Sequence, residues 1–146
     1  MEIYVNIEAV YSSDITGMSA DFPEKAKAAI VKGIEKAIKK ANAAMDPEQI
    51  RKGKAFKFTT NPKAAQKGAF TLRIKVASVS VSPGKTSVKL SGELNRFPNG
   101  EMISTSMGGN GAYEGKHSPE GTLEAIEAIA EDMARGKALP VMQTKI

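Results

Sequence analysis

The sequence contains no cysteine and no tryptophan, and it has a single histidine, His117. Without cysteine, disulfide bonds, zinc thiolate sites and thiol nucleophiles are excluded. No apolar run approaches the ~20 residues that a membrane-spanning helix needs. We expect no cofactor, no metal site and no catalytic residue, and we classify the chain as a non-enzyme.

The length and charge of the chain favour one domain with a basic region. A chain of 146 residues fits a single domain, 1–146, which buries roughly 68–70% of its unfolded surface. Residues 22–67 carry twelve Lys and Arg against four acids, a net charge of +8 in a chain whose total is +5. An excess of this kind attracts acidic partners.

The start of the chain, Met1–Val5, predicts a strand and lacks the basic-then-apolar pattern of a signal peptide. We therefore expect a cytoplasmic protein, or a periplasmic or otherwise extracytoplasmic one if a leader has been removed.

Three consecutive antiparallel strands are predicted between Phe70 and Met107. Apolar residues occupy every second position from Phe70 to Val76, all of them even-numbered. From Val79 onward the apolar positions are odd-numbered, so the alternation shifts by one residue. Such a slip turns side chains to the other face, which predicts a bulge near Ala77-Ser78. Turns are predicted at residues 82–85 and 97–100, each of which contains Pro and Gly, and the third strand at Met102–Met107.

Two helices are predicted to cover this sheet. The first begins with an Asp21-x-x-Glu24 capping pattern and ends near Ala43, with its apolar residues at three- and four-residue spacing. The last begins at Ser118-Pro119 and ends at Gly136 as a C′ residue, with Pro140 blocking further helix. The tail from Leu139 is expected to dock through its apolar residues.

These elements, with an opening strand at 2–11 and a short strand at 55–59, give the order β-α-β-β-β-β-α. We predict an α+β two-layer sandwich: a mainly antiparallel sheet of about five strands with both helices on one face. Loops are expected at 12–20 and 63–68. The opening strand or the short strand at 56–60 is the expected sheet edge, and such edges invite pairing with another chain.

The strongest charged feature is a row of lysines opposite the apolar stripe of the first helix. These lysines could simply form the solvated surface of the helix. If they have a function, it is contact with phosphates, anionic lipid or an acidic protein. Lysine dominates over arginine, which suits diffuse charge attraction more than reading of bases. Nucleic acid is therefore possible as a partner but not favoured. The candidate residues are Lys25, Lys32, Lys36, Lys39 and Lys40.

A glycine-rich segment, Gly108–Gly115, precedes the last helix. It fits neither the dinucleotide-binding pattern nor the P-loop, so we predict a mobile loop or a wide connection that could still bind a partner. His117 follows it and is expected to be a solvated loop histidine, because no local motif places a nucleophile or a carboxylate beside it. The candidate binding residues here are Gly109, Asn110, Tyr113 and His117.

The element order resembles that of small α/β domains of bacterial envelope proteins. These are the amino-terminal part of the Tol propeller protein, the curli-secretion lipoprotein and penicillin-binding-protein activator lipoproteins. The resemblance covers most of the chain, including a Leu90-Ser-Gly-Glu-Leu94 strand, the Asn99-Gly100-Glu101 turn and the terminal helix. It implies a non-enzymatic adaptor or assembly module outside the cytoplasm.

Our functional prediction is a non-catalytic protein-binding or assembly module that uses a sheet edge, the glycine-rich segment or the lysine face. Its partner would be another protein or a second copy of the chain. The alternative is a nucleic-acid- or anion-binding domain that works through the lysine face. A third hypothesis, which we rank below both, is an enzyme that uses His117 and the glycine-rich segment.

Overall fold

The computed structural model describes residues 3–11, 20–53, 55–58, 69–97 and 100–144. These residues form a two-layer α+β fold in which helices cover one face of a five-stranded sheet. The predicted fold class is therefore confirmed. Most of the predicted loop at 12–20, the loop at 63–68 and the turn residues Pro98 and Asn99 lie outside the described residues.

The elements follow the predicted order of strand, helix, strand, three-strand meander and helix. A π-helical turn, Ala134–Ala138, joins the last two helices. The strands are β1 (Ile3–Tyr11), β2 (Phe56–Phe58), β3 (Ala69–Ser82), β4 (Lys85–Arg96) and β5 (Met102–Glu114). The helices are α1 (Phe22–Ala43), α2 (Pro47–Arg51), α3 (Pro119–Met133) and α4 (Leu139–Thr144).

The sheet is mixed, with the strand order β2-β1-β3-β4-β5. Strands β3, β4 and β5 form the predicted antiparallel meander, whereas β1 runs parallel to both β2 and β3. The prediction of β2 as an edge is confirmed. The alternative, that the opening strand is an edge, is wrong, because β3 pairs with β1 along Tyr4–Tyr11. Among the described strands, β5 forms the second edge of the sheet.

The predicted irregularities of the meander are where the sequence placed them. The register between β3 and β4 shifts between Val76 and Ser78, so the predicted bulge is confirmed. Gly84 and Gly100 have φ angles of 77° and 73°, in the left-handed region that favours glycine. The Gly100 amide donates to the Arg96 carbonyl at 2.9 Å.

One hydrophobic core lies between the sheet and the helices. The even-numbered apolar residues of β3 and β4 are buried against Ile30 and Ile34 of α1 and Ile126 of α3. Leu139 and Met142 in α4 are also buried, which confirms that the carboxyl-terminal segment docks on the core. The open face of the sheet carries polar residues such as Arg73, Lys75, Lys89 and Ser91.

Helix ends depart from the sequence prediction in three places. Asp21 makes no side-chain capping bond, and its carboxylate pairs with Lys25 at 3.0 Å. The predicted turn at Asp46-Pro47 instead begins the short helix α2, capped by Asp46 and Gln49 in reciprocal hydrogen bonds. Helical winding also continues through Gly136, because the chain widens into the π-helical turn and places Pro140 in the first turn of α4, where its missing N–H is tolerated.

Candidate functional site

The glycine-rich segment is the second half of β5. Residues 107–114 pair with β4 in one unbroken register, from Gly92–Met107 to Lys85–Glu114. The prediction of a mobile loop or wide connection is therefore wrong. The physical reason is close packing by α3: a Cβ added to Gly109 would lie 2.7 Å from Cγ2 of Ile129, and one added to Gly111 would lie 3.2 Å from its Cδ1. Glycine lets the helix approach the strand backbone.

The register shows which backbone groups of β5 face outward. The Gly115 amide donates to the Gly84 carbonyl at 2.9 Å, in the same register as the pairs from Lys85–Glu114 onward. Hydrogen-bonded and non-hydrogen-bonded pairs alternate along an antiparallel ladder. Gly84 and Gly115 form a hydrogen-bonded pair, so Lys89–Asn110 and Ser91–Gly108 are non-hydrogen-bonded pairs. The N–H and C=O groups of alternate β5 residues point away from β4, at positions Gly108, Asn110, Ala112 and Glu114.

The side chains of this outward row are small or polar. Gly108, Asn110, Ala112 and Glu114 are all exposed, and β5 is the last strand of the described sheet. A row of unpaired backbone donors and acceptors is a template for an additional strand. The edge of β5 from 108 to 114 is therefore our candidate functional site, and we call it the β5 edge. It contains Gly109, Asn110 and Tyr113, three of the residues that the sequence singled out.

A lysine from the helix layer contacts the β5 edge. Lys137, in the π-helical turn, donates from Nζ to the Gly108 carbonyl oxygen at 2.5 Å. This bond fits the register, since the Gly108 carbonyl points outward. Lysines are one of the devices by which proteins keep exposed strand edges from pairing indiscriminately. A shallow groove beside this bond is lined by Gly109, Ile129, Asp132 and Met133.

At the other end of the β5 edge, a polar network joins the sheet to the start of α3. The Tyr113 hydroxyl lies 2.9 Å from Thr122 Oγ1, 3.0 Å from the Ser118 carbonyl oxygen and 3.2 Å from His117 Nδ1. Thr86 Oγ1 lies 3.3 Å from the same His117 nitrogen. Thr86 and Thr122 are fully buried.

These contacts show what the network does. His117 is half-buried and held by hydroxyl groups, so it is less solvated than the sequence led us to expect. Burial raises the pKa of Tyr113, but hydrogen bonds with Thr122, Thr86 and Ser118 outweigh it and lower the pKa below the ordinary value. The network therefore anchors the amino terminus of α3 to the end of β5.

Replacing Tyr113 with phenylalanine is expected to destabilise the fold by about 1–3 kcal/mol, because buried polar groups lose their common partner. The matched control is Tyr11→Phe. Among the described residues the buried Tyr11 hydroxyl has no hydrogen-bond partner, so its removal should leave stability unchanged or raise it. Urea unfolding of both variants measures the difference, and equal effects would show that the Tyr113 network contributes nothing specific.

The lysine row of α1 lies largely along its contact with α3. Lys32 and Lys36 pair with Glu127 at 3.6 and 2.7 Å, and Lys40 pairs with Glu131 at 2.6 Å. The hydrogen bond from Lys36 lowers the pKa of Glu127, with a further contribution from Lys32. The acidic residues of α3 thus balance part of the basic helix within the same molecule.

The remaining lysines of the row do not form a concentrated basic patch. Lys25 pairs with Asp21, and within the described part of the chain Lys39 forms no ion pair. Four of the five predicted lysines are therefore engaged by acids of the same chain, which weakens the charge available to an anionic partner. In residues 3–11, 20–53, 55–58, 69–97 and 100–144, no group of three or more His, Asp or Glu is placed to hold a metal ion.

Three residues of this region were missed by the sequence reasoning. Thr86 and Thr122 belong to the polar network, and Lys137 to the β5 edge. The alternation of β4 contained the signal for Thr86, which occupies the same face as Val88 and Leu90. No sequence pattern identified Lys137, because its contact with Gly108 depends on how the helix layer lies over the sheet. None of the helices in the described ranges is long and apolar enough to cross a membrane.

No family model and no curated protein matches the sequence, but solved structures match the fold. A DUF330-family protein from Xanthomonas campestris has a TM-score of 0.56 at 11% identity, covering 98% of this chain and 86% of that one. The PelC dodecamer of Paraburkholderia phytofirmans has a TM-score of 0.50 at 11% identity, covering 90% and 88%. A putative lipoprotein from Caulobacter crescentus has a TM-score of 0.39 at 14% identity, covering 94% and 88%.

At these identities the likeness concerns the fold alone. The chain shares its fold with the small α/β domains of the Xanthomonas campestris protein and of PelC, so the predicted resemblance is confirmed at the level of element layout.

Proposed function

We propose that this chain is a non-catalytic binding or assembly module that pairs an extended segment of a partner protein with the β5 edge. The observation that carries this proposal is the outward row of backbone donors and acceptors from Gly108 to Glu114. Main-chain hydrogen bonds to such an edge provide affinity for a strand of another chain. The bacterial envelope, which the resemblance in element order implies, is the compartment that we propose.

Two further observations support a binding role over a catalytic one. His117, the residue most suited to acid–base chemistry, has hydroxyl groups as its described partners and serves the packing of α3. The PelC structure is a dodecamer, so a protein of similar fold assembles with copies of itself. Self-association is therefore compatible with this fold.

The test is a selection of extended peptides against the immobilised chain, followed by binding measurements on the Asn110→Pro and Asn110→Ser variants. Proline removes the outward N–H of residue 110, and the edge position tolerates it because that N–H has no partner in the sheet. Serine keeps the N–H. We expect selected peptides to bind the wild type and the serine variant and to lose at least about tenfold in affinity for the proline variant.

Hydrogen exchange provides the structural readout of the same experiment. The amides of Asn110 and Ala112 should exchange more slowly when a peptide is bound, because they point outward in the free protein. Peptides that bind both variants equally, without protecting these amides, would contradict the proposal.

A further inference from the structure

Two lysines on the open face of the sheet lie among neutral neighbours. Lys89 of β4 is exposed, and the register places Ser78 of β3 and Asn110 of β5 directly opposite it. Lys75 of β3 is also exposed and lies opposite Ser91 of β4. Residues directly opposite each other on neighbouring strands share one face of the sheet. Within the described part of the chain neither lysine forms an ion pair, so no carboxylate of this face contacts their ammonium groups.

The other cations of this face have acids beside them. Arg73 lies 3.7 Å from a carboxylate oxygen of Glu8 and 3.7 Å from one of Glu93. Lys85 lies opposite Glu114 in the register of β4 and β5. Neighbouring opposite charges offset each other's field, whereas an unbalanced charge attracts an oppositely charged partner. The cation nearest to the β5 edge that lacks a neighbouring acid is therefore Lys89.

A shallow depression of about 440 Å³ lies between Lys89 and the β5 edge. Its lining includes Ser87 and Lys89 of β4 and Asn110 and Ala112 of β5. Ala112 carries only a methyl group, and Gly108 on the other side of Asn110 carries no side chain. The strand that separates Lys89 from the edge is therefore low at these two positions, and a side chain from outside can lie across it.

A strand added to the β5 edge brings its side chains within reach of this depression. Neighbouring strands lie about 4.8 Å apart, so the added strand lies about 10 Å from β4. A lysine side chain extends about 6 Å from its Cα and a glutamate about 4 Å. Residues of the added strand opposite Gly108 and Ala112 point to the open face. Their carboxylates can therefore meet Lys89, with the hydroxyl groups of Ser91 and Ser87 as further donors.

The helix face of the same edge has a different character. The groove on that side is lined by Lys137 and Asp132, which carry opposite charges, and by Ile129 and Met133, which are apolar. Every second side chain of an added strand points to this face. These side chains meet apolar atoms and balanced charge, so the helix face favours apolar residues and the open face favours acidic ones.

Resting on the proposed function, we propose that the β5 edge selects an acidic extended segment of the partner protein. Two acidic residues four positions apart pair opposite Gly108 and Ala112, and their carboxylates bind Lys89 on the open face. The residues of the segment that alternate with them are apolar and lie against Ile129 and Met133. Backbone hydrogen bonds provide the affinity of such an edge, and the side chains provide its specificity.

Three labelled peptides that alternate valine with threonine test this proposal by fluorescence anisotropy with the full chain. In the acidic peptide two threonines four residues apart are replaced by glutamate, in the basic peptide by lysine, and the neutral peptide keeps them. We expect the wild type to bind the acidic peptide at least about tenfold more tightly than the basic one. Lys89→Glu should reverse this order. Lys39→Glu on α1 changes the net charge equally and should preserve it.

The outcomes separate this proposal from the proposed function. If acidic and basic peptides bind equally and both lose affinity in Asn110→Pro, edge pairing stands and acidic selection is overturned. If none of the three peptides binds, acidic selection is overturned, and the peptide selection then decides the proposed function on its own. An acidic preference that survives Lys89→Glu or Asn110→Pro also overturns it, because the charge is then recognised elsewhere. Circular dichroism of each variant confirms that it is folded.

Discussion

Gly33→Ala is expected to lower the free energy of unfolding by about 2 kcal/mol and the melting temperature by roughly 6 °C. Gly33 is buried where α1 crosses α3. A Cβ at this position would clash with the backbone carbonyl oxygen of Glu127 and lie 3.1 Å from the Cβ of Ala130. A backbone atom of a packed helix cannot move aside as a flexible side chain does, so the two helices must separate.

The control for this prediction is the same substitution at Gly136. A Cβ there meets nothing within 4 Å, and alanine has the higher helix propensity. Gly136→Ala should therefore leave stability unchanged or raise it by up to about 1 kcal/mol. Thermal and urea unfolding measure both variants. Equal effects of the two substitutions would show that the close crossing of α1 and α3 is not what Gly33 provides.

Gly109→Val is expected to destabilise the chain by about 2–3 kcal/mol. The new side chain points into the helix layer, where its Cβ would lie 2.7 Å from Ile129 Cγ2 and 2.8 Å from Met133 Cγ. Part of this overlap can be relieved because methionine is flexible, but the isoleucine belongs to the core of α3. We therefore expect α3 to move away from β5, and urea unfolding should show the corresponding decrease in the free energy of unfolding.

The neighbouring residue supplies the control for Gly109. A Cβ at Gly108 faces the open side of the sheet, where the nearest atom that it would meet is the Leu90 carbonyl oxygen at 4.0 Å. Valine favours strands over glycine. Gly108→Val should therefore change stability by less than about 0.5 kcal/mol or increase it. Loss of stability in Gly108→Val equal to that in Gly109→Val would contradict the close packing of α3 on this strand.

The parts of the fold that were predictable from the sequence are those with strong local patterns. Alternation identified β3 and β4, the parity slip at Val79 located the bulge, and three- and four-residue spacing identified α1. These patterns record burial on one face of an element, so they can be read without knowledge of its neighbours.

The candidate site was less predictable for a physical reason. Glycine has no side chain to alternate, so the second half of β5 carried no strand pattern, although β4 and α3 hold it as a strand. Likewise, the lysines of α1 were correctly placed on its polar side, but their pairing with Glu127 and Glu131 depends on the crossing of two helices distant in sequence. A local sequence pattern determines neither the pairing of the second half of β5 nor the ion pairs between α1 and α3.

The position of β1 has a consequence for how the chain folds. Its pairing partner β3 lies far along the chain, as the bond between Asn6 and Thr71 across 65 residues shows. Parallel pairing over such a separation requires closure of a long loop before any contact compensates the lost chain entropy. The β3–β4 hairpin is local by comparison. We infer that the hairpin forms first and that the opening strand inserts late, which makes that insertion the slow step of folding.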